Sequence, residues 1–419
     1  MKLQTFKIKE GITLNYLKTE KFKTTNLSFF INRPISQEEV TVNALLSLVL
    51  KRSCPMYKTS IELNNALNDL YGAVIDTGIK KKGANQFLVT SFSFVNEKFI
   101  PGNPTIIDKV FGIAKDLLLN QQQFSDEYVS QEKENLKSLI LSQKNDKRLY
   151  AQARLIEEMC IGEPTGIMRY GYVDKVDGIS KEQLFSHYKE TVLSSGVDVF
   201  ICGDVDIDMV LTLVKDMYKN IDVKHTQYKD LTIKTNVSKV KEITETEEIA
   251  QGKLSIGFRT GVTSKNEEYP ALLMYNAILG GGIFSKLFNN VREKLSLCYY
   301  ASSSIDGISG TMFINSGIEV SNFKKAYDEI LKQVQDIRDG VISNEEFIAG
   351  KLGTINNIKS ITDSAFGTID YYLSKFVCGK MIDTESMIKL IDDVTIEDIV
   401  KVAKGVLLDT VYFLKGCDK

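Results

Sequence analysis

The feature that most constrains this chain is that its order of local signals occurs twice. Phe124-Ser-Asp-Glu-Tyr128 opens a long helix after an apolar one, and Ile342-Ser-Asn-Glu-Glu-Phe347 repeats that opening. Ile179-Ser-Lys-Glu-Gln-Leu184 begins a helix behind a Ser N-cap, and Val394-Thr-Ile-Glu-Asp-Ile399 echoes it with a Thr cap. Val199-Phe-Ile-Cys-Gly203 resembles Val411-Tyr-Phe-Leu-Lys-Gly416. Taken Phe124 to Ile342, Ile179 to Val394 and Gly203 to Gly416, the spacings are 218, 215 and 213 residues, in one order. One echo arises by chance; three nearly in register argue for a duplicated unit of a little over ~200 residues.

The local patterns say what each copy contains. Ile12–Leu17, Thr25–Ile31, Gln86–Val95 and Val197–Cys202 read as strands, the second ended by Pro34 and the last by Gly203. Val42–Leu50, Ser60–Leu70, Ile107–Leu119, Asp126–Asp146 and Lys181–Val192 read as helices. Helices and strands alternate without strict βαβ regularity, which favours an α+β protein of two homologous halves over a parallel dinucleotide-binding sheet. The polar, β-branched stretch Tyr228–Thr246 reads as an extended linker. The expected division is 1–227 for the first half, 228–246 for the linker and 247–419 for the second half.

Composition removes several function classes. A net charge of −2 with basic residues spread among acids argues against nucleic acid binding. No apolar run approaches the ~20 residues of a membrane span. Met1–Glu10 alternates Lys with apolar residues and does not read as a signal peptide. The six cysteines (Cys54, Cys160, Cys202, Cys298, Cys378 and Cys417) form no CxxC pair and suit reduced thiols in the cytoplasm. The chain has two histidines, His187 and His225, whereas catalytic zinc usually takes two or three. Glu190 follows His187 on one helical face but leaves any metal site a ligand short, and His225 has no carboxylate three or four residues on. Glu157-Glu158 beside Cys160 reads as a helix face, and Cys202 as a buried thiol.

The strongest local motif is Leu279-Gly-Gly-Gly-Ile-Phe-Ser-Lys-Leu-Phe-Asn-Asn-Val-Arg-Glu-Lys-Leu-Ser-Leu-Cys-Tyr-Tyr300. No Gly-Lys-Ser/Thr follows the glycines, so it is not a phosphate loop. On residues alone, Gly280, Gly281 and Gly282 form a turn where backbone approaches backbone.

This segment closely resembles the C-terminal half of the insulinase-like (pitrilysin) zinc peptidases, in their smaller, two-chain processing-peptidase branch. There a glycine run, a Ser-Lys/Arg-Leu-Phe helix, Arg-Glu-Lys and Gly-Leu-Ala-Tyr follow one another. Here Arg292-Glu293-Lys294 and Leu297-Cys298-Tyr299 fit, with Ser296 in the place of the glycine. Gly203-Asp-Val-Asp206, Gln251-Gly-Lys-Leu254 and Gly257-Phe-Arg259 are similar to further landmarks, and Leu70-Tyr71-Gly72-Ala73 stands where the family has Leu-Gly-Gly. The resemblance spans essentially the whole chain. It implies two homologous halves, each a mixed, mostly antiparallel sheet layered with helices, arranged as a clamshell.

The departure from the family is equally informative. Active members carry His-x-x-Glu-His on a first-half helix, two His holding zinc and the Glu activating its water. Aligned through the Leu-Tyr-Gly landmark, that motif falls at about Ala44 to Leu48, with Ala44, Ser47 and Leu48 at the ligand and base positions. The family's third ligand, a Glu, falls near Ser138, with Glu132 and Glu134 a turn or more away. No metal is expected in this chain.

The resemblance therefore implies the non-catalytic subunit of a heterodimer whose homologous partner carries the zinc and cuts a peptide in a shared chamber. Arg292 and Tyr299, with Gly280, Gly281 and Gly282 of the turn, are the candidate substrate-binding residues, Arg292 and Tyr299 at positions that hold the substrate backbone there, a buried Tyr hydroxyl and a guanidinium being suited to polarise a carbonyl; an internal structural contact is the alternative. The emptied helix is most similar to the non-zinc member of bacterial pairs associated with elongation-factor P modification or peptide maturation. The surface meant for a homologous partner can also accept a second copy of the chain when it is alone, and the sequence does not fix which. Two other readings stay open: a peptide-binding or structural scaffold, and an enzyme of unrelated chemistry reusing the chamber through Cys202 or Arg292.

Overall fold

The computed structural model describes residues 2–102, 105–224 and 228–416. They form two compact units, one built from Met1–Ser142, Ile167–Lys229 and Ser364–Tyr372, the other from Gln143–Gly166, Asp230–Asp363 and Leu373–Lys419.

Unit 1 holds a six-stranded sheet. Its order is β1 (Leu3–Lys9), β2 (Ile12–Lys18), β6 (Val197–Gly203), β3 (Thr24–Pro34), β5 (Asn85–Val95) and β4 (Val74–Lys82). All neighbours are antiparallel except β2 and β6. Unit 2 holds β7 (Lys241–Glu247), β11 (Leu407–Gly416), β8 (Gly252–Arg259), β10 (Thr311–Ile318) and β9 (Cys298–Asp306), in that order. Again one pair, β7 with β11, is parallel and the others antiparallel. Without β1, the two sheets have the same chain order and the same strand directions. The duplication seen as sequence echoes is a duplication of topology.

The echoed helix starts are real caps. Ser180 accepts from Gln183 N, Ser343 from Glu346 N and Thr395 from Asp398 N, and in each the third residue's side chain answers the cap's own N–H. Each unit then buries one face of its sheet under its helices in a separate apolar core.

Two segments lie in the unit opposite to the one their place in the chain suggests. The helix read as Asp126–Asp146 stops at Ser142, and a new one, Lys147–Met159, starts behind Asp146, whose carboxylate accepts from Arg148 N and Leu149 N, both at 3.0 Å. This second helix belongs to unit 2. Its stripe of Ala151, Leu155 and Met159 packs on Phe313, Tyr412 and Leu414. Gly257 of β8 makes the approach possible, because a Cβ there would sit 2.5 Å from Met159 Sδ. Its counterpart in the second half, Ala365–Cys378, gives its first two turns to unit 1, where Asp370 pairs with Lys80 at 2.5 Å and Lys82 at 2.9 Å. The expected linker also contributes structure. Tyr228 rests against Phe87 and donates to Asp198, residues 229–240 have no regular structure, and Lys241–Glu247 is β7.

Charge fixes the Lys147–Met159 helix in unit 2. Arg154 pairs with Glu245 at 2.7 Å and Lys241 with Glu158 at 2.6 Å. Arg259, 1% exposed, donates to Glu163 through both terminal nitrogens at 2.8 Å, to Met159 O at 2.8 Å and from Nε to Asp409 at 2.7 Å. One guanidinium thus joins the helix end to β8 and to the start of β11. Removing it leaves Asp409 buried and unpaired, and Arg259→Met is expected to cost about 3–5 kcal/mol in urea unfolding. Arg259→Met with Asp409→Asn should recover a large part of that loss; a double variant as unstable as the sum of the singles would contradict the assignment.

Candidate functional site

The helix that would carry a zinc motif, Val40–Leu50, reads VTVNALLSLVL and has no imidazole, carboxylate or thiol at any position. Every residue but Val42 and Leu48 is buried. Ala44 and Ser47 face the unit 1 core, and the Ser47 hydroxyl donates to Ala44 O at 2.8 Å, which satisfies it within the helix. Leu48 packs against the same core.

The expected third position also lacks a ligand. Ser138 is exposed on the Asp126–Ser142 helix, and Glu134 is occupied by Lys137 at 2.7 Å. Glu132 is buried, with Arg52 Nε 3.0 Å from its carboxylate. The positive charge this buried carboxylate needs is supplied by a guanidinium two residues beyond the helix. Among the described residues no group of three or more His, Cys, Asp or Glu could hold a metal ion.

His187 is tied into a polar chain beside this helix rather than to a carboxylate. Its Nε2 lies 2.7 Å from Asn43 Oδ1 and 3.2 Å from Thr191 Oγ1. Asn43 Nδ2 donates to Gln86 Oε1 at 2.8 Å, and Gln86 Nε2 donates to Arg169 O at 3.1 Å. The chain is consistent in direction when His187 Nε2 carries the proton and donates to Asn43. Burial holds its pKa below the usual histidine value, against the upward pull of Glu39 and Glu190; Arg33 reinforces the lowering. Glu190 is exposed and makes no hydrogen bond to His187. His225 lies outside the described residues. Cys202 is fully buried, its thiol pushed up to about 12 by burial, which leaves no thiolate for nucleophilic chemistry. Glu157 and Glu158 are taken by Arg154, and Glu158 also by Lys241.

The Gly-rich motif builds a different kind of site in unit 2. The Tyr269–Gly280 helix ends against β9 so closely that a Cβ on Gly280 would meet Ser303 N at 2.5 Å. Gly281 and Gly282 are exposed, and Ile283 and Phe284 after them stand out at 62% and 65% exposure. The chain is then fixed by Lys286, nearly buried and paired with Glu346 at 2.9 Å. Leu287–Lys294 winds as a π-helix, a form found mostly as single turns and often at functional sites.

Arg292 and Tyr299 meet on one surface cleft of about 430 Å³, together with Glu293, Ser296, Cys298 and Glu319. A one-residue bulge in β9 opposite Gly317 and Ile318 turns Tyr299 outward. Tyr299 is 58% exposed, which corrects the expectation of a buried hydroxyl, and it donates to Glu319, a hydrogen bond that raises its pKa with the carboxylate charge adding to the effect. The Arg292 guanidinium stacks 4.7 Å over Phe288 and approaches Glu293 at 3.5 Å. The cleft thus offers two exposed hydrogen-bond donors to a ligand, with carboxylates at each.

Tyr71 and Ser296 have φ of 58° and 49°, the non-glycine residues with positive φ among those described. Both stand where the zinc peptidase motifs have glycine.

A family model, the Peptidase M16 inactive domain, matches residues 178–353. Over 416 residues the chain is 34% identical to the probable inactive metalloprotease YmfF of Bacillus subtilis, covering 97% of this chain and 96% of that one. A conserved protein from Enterococcus faecalis has the same structure at a TM-score of 0.92 and 30% identity, over 100% and 99% of the two chains. A protease from Helicobacter pylori shares the fold at a TM-score of 0.80 and 14% identity, over 99% of each chain.

Two outcomes test the emptied helix and its polar neighbour. Ser47→Glu, restoring a carboxylate without a metal, should cost about 3–5 kcal/mol, because an unpaired charge would enter the core. The folded His187 binds its proton more weakly than the unfolded one, so its contribution to stability is complete above the ordinary value of about 6.5 and is lost as the pH falls below it. His187→Gln should flatten that part of the pH dependence of the urea midpoint; an unchanged slope would contradict the buried, neutral state.

Proposed function

The chain belongs to the insulinase-like (M16) peptidase family, among its inactive homologues, and on that premise we propose that it is the non-catalytic subunit of a two-chain zinc peptidase. The partner is a homologous chain that carries the zinc and cuts the peptide. This chain helps to form the peptide-binding surface and gives Arg292 and Tyr299 to it.

One contrast carries the reading. The helix at the place of the zinc motif is core and holds no ligand, and the buried Glu132 on the later helix is paired with Arg52, whereas Arg292 and Tyr299 are exposed on an open cleft. Both groups are donors suited to a peptide carbonyl and to the negative charge that grows on it during hydrolysis.

The rival reading, a peptide-binding or scaffold protein with no part in proteolysis, draws support from the pairing of Tyr299 with Glu319 and of Arg292 with Glu293. Those carboxylates must give way before either donor can meet substrate.

The test is reconstitution. The purified chain is mixed with a zinc-bearing homologue from the same genome, and cleavage of a quenched peptide library is measured. Activity should require both chains, and Arg292→Ala should lower kcat/KM by about 10²-fold, Tyr299→Phe somewhat less. Full activity from the zinc chain alone, or a pair indifferent to Arg292→Ala, would leave the scaffold reading in its place.

A further inference from the structure

On the face of the unit 2 sheet that carries the Lys147–Met159 helix, one row of side chains is left partly open. Lys253 of β8 stands opposite Gly317 of β10, and Gly317 opposite Tyr300 of β9, so the three share that face. The next row along it, Ser255, Asn315 and Ser302, is closed by the helix. Ser255 donates to Asn315 at 2.8 Å, Asn315 to Gln152 at 3.3 Å, and Ser302 accepts from Arg148 at 3.1 Å. In the open row the middle position has no side chain. A Cβ on Gly317 would strike the Tyr300 ring and lie 2.8 Å from Gln251 Oε1, so glycine is what lets that ring lie across β10 toward Lys253.

Two cations border the ring. The Arg148 guanidinium lies 4.5 Å over it, and Lys253 Nζ stands 5.8 Å from its centre. Arg148 is exposed and Lys253 half-buried. Neither forms an ion pair among the described residues, whereas Lys147 and Arg154 on the same helix are taken by Glu247 and Glu245. Lys253 donates to Gln251, a neutral acceptor. The Tyr300 hydroxyl has no hydrogen-bond partner among the described residues, and burial pushes its pKa up to about 12, so it stays a donor. Asp146, the carboxylate that acts on both Lys253 and Tyr300, caps the Lys147–Met159 helix and pairs with neither cation. Burial lowers the Lys253 pKa and Arg148 adds to the effect, which a bound anion would reverse. Three donors and an excess of positive charge are thus gathered at one ring.

We infer that Arg148, Lys253 and Tyr300 form a carboxylate pocket on the open face of the unit 2 sheet, and that it holds a carboxylate of the peptide lying in the neighbouring cleft. A guanidinium and an ammonium beside a phenol select an oxyanion over a neutral or cationic group. Tyr299 of the cleft directly precedes Tyr300 in β9, so a short peptide spans both. The carboxylate is the peptide's own C-terminus or an acidic side chain. This pocket sets the specificity of the surface proposed above and rests on that reading.

The chain has no tryptophan, so a tryptophan in a peptide reports binding by its own anisotropy. A short N-acetylated peptide of serine, threonine, alanine and one tryptophan is titrated with the full chain in three forms. One has a free C-terminal carboxylate, one is amidated, and one is amidated with a glutamate in its middle. At least one carboxylate form should bind, and the amidated neutral form about tenfold or more weakly. Preference for the first form assigns the pocket to the terminus, and preference for the third to a side chain. Arg148→Gln and Lys253→Gln should each weaken the carboxylate form by about tenfold, and Lys401→Ala, on the helix Ile396–Gly405 of the same unit, should leave it unchanged. Binding by no form, equal binding by the neutral and carboxylate forms, or indifference to either glutamine variant would overturn the proposal. The three peptides probe the unaltered protein, so the result does not hang on the folding of a variant. If the carboxylate preference is absent while cleavage by the reconstituted pair still depends on Arg292, this inference falls and the subunit reading stands. A carboxylate preference without any cleavage by the pair would keep the pocket and remove the subunit reading.

Discussion

A charge placed in a packed core must find an opposite charge or leave, and that constraint explains how this chain differs from a zinc enzyme of the same fold. Two imidazoles and two carboxylates inside unit 1 would be tolerable only around a metal ion. Here Val40–Leu50 has been filled with aliphatic side chains, Ser47 bonds within its own helix, and Glu132 is neutralised by Arg52. These changes support one another. A bare Glu132 would be costly, and Arg52 supplies the counter-charge it needs.

The second unit departs less from the family's pattern. Its Gly-rich turn brings the end of a helix against Ser303, its π-helix carries Arg292, and its bulge aims Tyr299 outward. Tyr71 and Ser296 hold a left-handed backbone that glycine would adopt more easily. Such positions cost an ordinary side chain on the order of 1 kcal/mol, and they persist because the surrounding packing over-determines them.

Much of this was legible in the sequence. Caps at Ser180, Ser343 and Thr395 are local signals, and their repeat spacing gave the duplication; that Val40–Leu50 holds no imidazole, carboxylate or thiol is plain from its residues, while its place opposite a zinc motif came from the family resemblance. What was not legible depends on long-range partners. The break at Ser142 and the new helix from Lys147 follow from Asp146 acting as a cap, but their meaning comes from Phe313, Tyr412 and Arg259, far along the chain. Tyr228 and β7 likewise read as linker because a strand with Lys and Glu at alternate places has no apolar face of its own. It is a strand because β11 and the salt bridges to Lys147 and Arg154 make it one. The exposure of Tyr299 hinges on a bulge, which a single sequence does not mark.

The exchanged segments bear on how the chain comes into being. Unit 1 takes in Ser364–Tyr372, so a ribosome that has finished everything through Lys229 has still not delivered all of its parts. Lys80 and Lys82 must wait for Asp370, with most of unit 2 to be synthesised first. The Lys147–Met159 helix, meanwhile, emerges before the strands that will cover its apolar stripe. Neither unit can be finished as an independent early product, and a nascent chain of this design stays open to chaperones and proteases until its last hundred or so residues appear.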